Sequence, residues 1–172
     1  MKKSALIISI ITFLPFGLFA QHENPETGME EENHFHYNTI ALFTGGSSFL
    51  ETGNTSFTLG ADYIRRFSST SNFGWGIYTE AIFAHHIEWV FGAVVLYTLP
   101  GNFWIRSGPG IEVIQEEIEH TSETESKTEF LWRIGVGYKI HIGRFIIDPS
   151  VDLDLSRSSE ALVWGVNFVM GF

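Results

Sequence analysis

Glu160-Ala-Leu-Val-Trp-Gly-Val-Asn-Phe-Val-Met-Gly-Phe172 closes the chain. Read with the two-residue period of a β-strand, Leu162, Trp164, Val166, Phe168, Met170 and Phe172 share one face. Ala161, Val163, Gly165, Asn167, Val169 and Gly171 share the other. The first face is bulky and apolar along its whole length, and the second is small or polar for the most part. A strand of this kind fits a wall with lipid on one side and a packed interior on the other.

Working back from it, seven more alternating segments are separated by turn residues. They cover roughly residues 35–43, 57–67, 73–83, 87–99, 103–115, 129–142 and 145–155, with 161–172 as the eighth. The breaks at 68–72, 100–102 and 143–144 are short, whereas 45–55 and 116–128 are long and polar. The breaks at His85-His86 and 156–160 are tight. Short turns at one end and longer loops at the other predict an all-β fold, an eight-stranded antiparallel transmembrane β-barrel in an up-and-down meander. Loop 116–128 is then expected outside the cell. The first segment leaves its register open, since Ile40 and Leu42 share a face with His36 and Asn38. Pro109 and Pro149 cannot donate to a ladder and predict a gap or bulge in their strands.

Aromatics on the outward parity sort by depth. Tyr63, Phe67, Phe73, Trp75, Tyr97, Phe103, Tyr138 and Phe172 fall toward the short-turn end. Phe57, Phe83, Trp89, Phe130, Trp132 and Trp164 fall toward the other, with Leu59, Ile77, Val95, Ile134, Val136 and Val151 between. Lipid interfaces select such rings, and the core of a soluble sandwich would not order its aromatics this way.

The amino terminus reads as an export signal: Lys2 and Lys3, an apolar run over residues 5–19, and cleavage expected after Ala20. Residues 21–33 are acidic, without apolar period, and are expected to form a flexible periplasmic lead-in to a barrel over 34–172. The chain has no cysteine, so disulfides and a lipoprotein anchor are excluded. Cleavage leaves eight cationic residues against twenty acids, a formal charge of −12. So acidic a chain is not expected to bind nucleic acid. The expected location is the cell outer membrane.

The inward parity collects Asp62, Arg66, Glu80, Glu88, Arg106, Glu112, Glu129, Arg133, Lys139, Asp148, Asp152 and Asp154. Eight strands leave room for side chains only, and charges there must pair or give up their protonation state. A lumen network of Asp62, Glu80, Arg106, Glu112, Arg133, Lys139, Asp148 and Asp152 is expected, a polar plug more than a reactive site. Some carboxylates nearer the outer mouth, such as Glu88, Glu129 and Asp154, are expected to be solvated, protonated or cation-bound.

These marks together resemble the small eight-stranded outer-membrane barrels of the OmpX and OmpA membrane-domain type, over essentially the whole mature chain. Phe172 resembles the terminal residue by which the barrel-assembly machinery recognises a last strand. The resemblance implies a monomer in contact with outer-membrane lipid and lipopolysaccharide, with a structural or surface-interaction role and no cofactor. Alternatives within the class are a lipid-modifying envelope enzyme of the PagP or PagL type, or a narrow ion or solute pathway. For the deacylase chemistry the candidates are His120 and Ser122, two residues apart beside Glu119 and Glu123, though in a loop where no strand period aligns them. His34 and His36 have the spacing of a two-imidazole metal site, but solvated polar residues at the lower rim of the barrel are the favoured reading.

Overall fold

The computed structural model describes residues 37–172 apart from 69, 118–123, 144 and 158. The export signal, the lead-in and the candidates His34, His36, His120 and Ser122 lie outside the described residues. The described chain is strand and turn throughout. In order, the strands are β1 (Asn38–Phe49), β2 (Thr55–Arg66), β3 (Phe73–Phe83), β4 (Ile87–Thr98) and β5 (Phe103–Glu117). They continue as β6 (Thr124–Tyr138), β7 (Ile140–Ile142), β8 (Phe145–Ser156) and β9 (Glu160–Gly171). Strands β6 and β7 are two pieces of one stave, since both pair with β8 in the same register. Every neighbouring pair is antiparallel, and β9 closes on β1, giving an eight-stave meander barrel.

Closure fixes the geometry. Opposed residues run from Asn38 through Arg65, Trp75, Val95, Ser107, Ile134, Leu153 and Leu162 to Ser48. The path returns to β1 ten residues from where it began, a shear of ten. With ordinary strand rise and spacing this means staves tilted by about 40° round a backbone cylinder roughly 16 Å across. Such a cylinder holds one layer of inward side chains from each wall.

The parity read from the sequence holds along the staves. Phe43, Tyr78, Ile82, Trp104 and Leu131 are buried inside, while Phe57, Ile77, Val95, Ile134, Phe168 and Met170 stand exposed on the outer face. Strand β1 takes the register that the sequence left open, with Ile40 and Leu42 outward and Ala41, Phe43 and Ser47 inward. Outer aromatics meet as cross-strand partners: Phe73 and Tyr97 at 4.6 Å, Phe103 and Tyr138 at 4.7 Å, Phe57 and Phe83 at 5.9 Å between centroids. The indole N–H groups of Trp132 and Trp164 donate to Ser107 and Ser48 on adjacent staves.

Two loops are shorter than expected. The ladder of β1 and β2 runs to Ser48 and Thr55, and only five residues separate the strands, which end and begin at Phe49 and Thr55. Hydroxyl pairs hold this extension, Ser47 with Thr58 at 2.8 Å and Ser48 with Thr55 at 2.9 Å. Serine, threonine and glycine read as turn formers in sequence, but here they pair across strands. Likewise β5 and β6 remain paired from Val113 and Thr128 out to Glu117 and Thr124, within the expected loop 116–128. The prolines leave gaps without bulges. Pairing of β4 with β5 skips Ala93 and Val94 opposite Gly108 and Pro109, then resumes in unchanged register. Pairing with β8 skips Tyr138 and Lys139 opposite Asp148 and Pro149, which divides β6 from β7.

Glycines line the inner wall where large side chains lie across it. A Cβ on Gly92 would sit 2.4 Å from the Tyr78 ring, one on Gly110 2.5 Å from its hydroxyl, and one on Gly137 2.3 Å from Trp104. Gly92→Ala is therefore expected to destabilise the barrel by about 1–3 kcal/mol through overpacking. Urea unfolding in detergent measures this, and a midpoint equal to wild type would show that Tyr78 does not rest on β4.

Candidate functional site

The interior concentrates the chemistry of this chain. Arg106 on β5 and Arg133 on β6 are both buried, at 3% and 0% exposure. A guanidinium cannot lose its proton in a protein, so each must be met by carboxylates. Arg106 donates through Nε and Nη2 to Asp152 of β8, at 2.6 and 2.8 Å, and through Nη1 to Asp62 of β2 at 2.6 Å. Arg133 donates through Nε and Nη2 to Asp154 of β8, both at 2.6 Å. It also forms a fork with Glu80 of β3, Nη2 to Oε2 at 2.7 Å and Nη1 to Oε1. Both clamps join opposite walls, and three of the four carboxylates are met through two parallel hydrogen bonds.

Tyr78 lies between the clamps. Its ring centroid is 4.1 Å from the Arg133 guanidinium carbon and 5.9 Å from that of Arg106. Trp104 lies 5.3 Å from the Arg106 carbon and donates its N–H to both oxygens of Asp148 at 2.8 Å. Asn167 bonds the Asp148 carbonyl and Ser150 below it. A continuous column thus runs from Asp148 through Trp104, Arg106 and Tyr78 to Arg133. Two residues beyond Glu80 and Arg133, toward the β5–β6 hairpin, Ile82 and Leu131 join Val90, Val94 and Tyr78 in an apolar layer. Polar clamps and apolar layer lie buried in the bore.

Gly135 shows why this arrangement needs its particular residues. It stands opposite Asp152, and a Cβ there would fall 1.8 Å from Asp152 Oδ1. The bare backbone lets that carboxylate lie across β6 and reach Arg106 on the stave beyond.

Of the eight residues read from the sequence as a lumen network, Asp62, Glu80, Arg106, Arg133 and Asp152 meet in the two clamps. Asp148 joins through Trp104. Lys139, in the break between β6 and β7, is within electrostatic reach of Asp148 and Arg66 rather than of either clamp. Glu112 stays outside both clamps, buried at the hairpin end opposite Glu129, which itself pairs with Lys127 at 2.6 Å. Of the three states expected for Asp154 near the mouth, the structure shows it cation-bound: Arg133 meets it through two hydrogen bonds in the upper clamp. Tyr78 was missed. Its signal was its shared parity with Glu80 and Ile82, which its aromatic character masked among so many outward rings.

No family model matches this chain, and no curated protein matches it in sequence. Solved structures match in fold. The N-terminal β-barrel domain of Pseudomonas aeruginosa OprF superposes with a TM-score of 0.58 at 15% identity, covering 78% of this chain and 99% of that one. Ail, the attachment invasion locus protein of Yersinia pestis, gives 0.54 at 16% identity, over 77% of this chain and 97% of its own. Neisserial surface protein A gives 0.52 at 8% identity, over 78% and 96%.

Arg133→Ala is expected to cost about 3–5 kcal/mol, since Glu80 and Asp154 would remain buried without their cation. Arg65→Ala, exposed at the end of β2, is expected to cost about 0–1 kcal/mol. Urea midpoints in detergent compare the two, and equal midpoints would contradict the clamp. The shared fold is that of the small eight-stranded outer-membrane β-barrels.

Proposed function

We propose that this chain is a monomeric outer-membrane protein whose role is surface interaction, presented on a barrel that is itself a filled, inert anchor. The observation that carries the reading is the β5–β6 hairpin. Strand β5 pairs with β4 as far as Val113 and β6 pairs with β8 from Leu131 on, while the two stay paired with each other to Glu117 and Thr124. A two-stranded ribbon thus extends past the rim, with an open backbone edge along β5 beyond Val113 among the described residues. Edges of this kind accept an added strand from another polypeptide.

The charge of the ribbon selects among partners. Residues 112–129 carry seven glutamates and one lysine. Ail has been solved with the heparin analogue sucrose octasulfate, but so acidic a ribbon is matched to an extended segment bearing Lys or Arg and repels a sulfated polyanion. The outward aromatic rings support contact with membrane lipid and lipopolysaccharide, and the bulky face of β9 ending in Phe172 supports recognition by the barrel-assembly machinery. Export by the signal over residues 1–20, with the ribbon outside and the turns at 68–72, 100–102 and 143–144 in the periplasm, completes the reading.

Two experiments test it. Single cysteines at Ser122 and Thr70 are expected to react and to stay silent, respectively, with an impermeant thiol reagent on intact cells. The opposite pattern would invert the barrel. Joining Val113 to Thr128 through an Asn-Gly turn removes the ribbon and leaves the barrel. Cells displaying that variant are expected to lose adherence to a mixed matrix-protein coating that the full chain supports, and unchanged adherence would overturn the role given to the ribbon.

A further inference from the structure

At the ribbon end of the bore, two inward glutamates stand outside both arginine clamps. Glu112 on β5 is 6% exposed and sits between Val90 of β4 and Glu129 of β6. Among the described residues no hydrogen bond or ion pair reaches its carboxylate. Glu88 on β4 is within its electrostatic reach, with the His86 imidazole nearby. Glu88 Oε2 is buried and has no hydrogen-bond partner among the described residues.

The groups round Glu112 do not offset the cost of burying it. Glu88, Asp154 and Glu129 are acids, and Arg133, the cation within reach, is already held by Glu80 and Asp154. Glu129 differs, because Lys127 meets it at 2.6 Å from two residues along β6. A buried carboxylate without a counter-charge opposes folding, and one directly across the ladder from another does so twice over. A group that breaks the local rule in this way is characteristic of a binding site.

The surroundings describe the absent partner. Ile82 opposes Glu88 and Val90 opposes Glu112, so the buried apolar layer adjoins both acids. Ile114, two residues along β5 toward the ribbon and on the same inward face, is half-buried. Among the described residues no three acids or histidines are grouped to hold a metal ion. Two carboxylates on adjacent staves suit the compact ammonium of lysine, whose three donors diverge, and Ile114 suits its four-carbon stem. Lys127 shows this mode within the chain, reaching Glu129 from the position opposite Ile114. A strand added to the open edge of β5 beyond Val113 turns alternate side chains toward the face that Glu112 and Ile114 share.

We infer that the ribbon end of the bore is a socket for a lysine side chain of a partner polypeptide, its ammonium received by Glu112 and Glu88 and its stem covered by Ile114. The inference deepens the surface-interaction reading proposed above and rests on it for the source of the lysine.

The full chain in detergent is titrated by calorimetry with a capped eight-residue peptide alternating lysine with threonine. The same peptide with norleucine in place of lysine keeps the stem and removes the ammonium. Wild type is expected to bind the norleucine peptide at least about tenfold more weakly than the lysine peptide. Glu112→Gln is expected to weaken the lysine peptide about tenfold and leave the norleucine peptide unchanged. It is also expected to raise the urea midpoint of the barrel, since it removes an uncompensated charge. Glu88→Gln is expected to weaken the lysine peptide in the same direction. Equal binding of the two peptides by the wild type overturns the socket. A lowered midpoint in Glu112→Gln overturns it too, because the carboxylate would then be structural. If Glu119→Gln weakens the lysine peptide as much as Glu112→Gln does, the attraction is general charge and the socket is likewise overturned. The variant joining Val113 to Thr128 through an Asn-Gly turn separates the two readings. Binding that survives loss of the ribbon but still depends on Glu112 supports the socket and overturns the role given to the ribbon. Binding lost with the ribbon but indifferent to Glu112→Gln overturns the socket and leaves the ribbon its role.

Discussion

Two guanidiniums buried inside a closed ring of strands constrain the rest of this molecule. Neither Arg106 nor Arg133 can be neutralised, so each demands two carboxylates at hydrogen-bond distance. Asp62 and Glu80 come from β2 and β3 across the bore, and Asp152 and Asp154 from β8 beside β6. The clamps therefore tie opposite sides of the cylinder together, and a slip of one residue in any of these staves would turn a partner out toward lipid. The shear of ten sets the bore that the clamps must span, and the glycines at 92, 110, 135 and 137 set the depth available to Tyr78, Asp152 and Trp104. Two acids from adjacent inward positions of β8, Asp152 and Asp154, each serve a different arginine, which locks that stave twice.

Much of this was legible in the sequence because a strand has a strict period of two. The bulky face of Leu162 to Phe172 determines inside and outside for β9, and the same alternation carries through β3 to β6. What periodicity conveys poorly is where a strand ends. Ser47, Ser48 and Thr55 are turn formers by composition, yet they extend a ladder because their hydroxyls bond one another across it. Partners within the lumen were equally beyond reach. Parity placed Asp154 inside but not beside Arg133, since that contact depends on the offset between β6 and β8. Proline carried the right message in part: Pro109 and Pro149 do remove ladder pairs, and the register on either side absorbs the loss without an inserted residue.

The two ends of the barrel answer to different demands. At one end β5 and β6 outrun their neighbours and continue as a two-stranded ribbon. At the other, β8 pairs with β9 down to Ile146 and Val169, and β9 continues along β1 to Gly171. Between them the bore is packed with charge pairs and an apolar layer, which separates the ends chemically. The fold shared with OprF, Ail and Neisserial surface protein A does not by itself choose a role.

The central claim is that the clamps and the layer over them close the lumen, and conductance of the protein in a planar lipid bilayer tests it most directly. The account predicts no steady single-channel steps for the wild type, because eight staves leave space only for side chains and those side chains are present. Reproducible cation-selective steps in the wild type that vanish when Glu112 or Asp152 is neutralised would contradict it, and would make the acidic lumen a pathway instead of a plug.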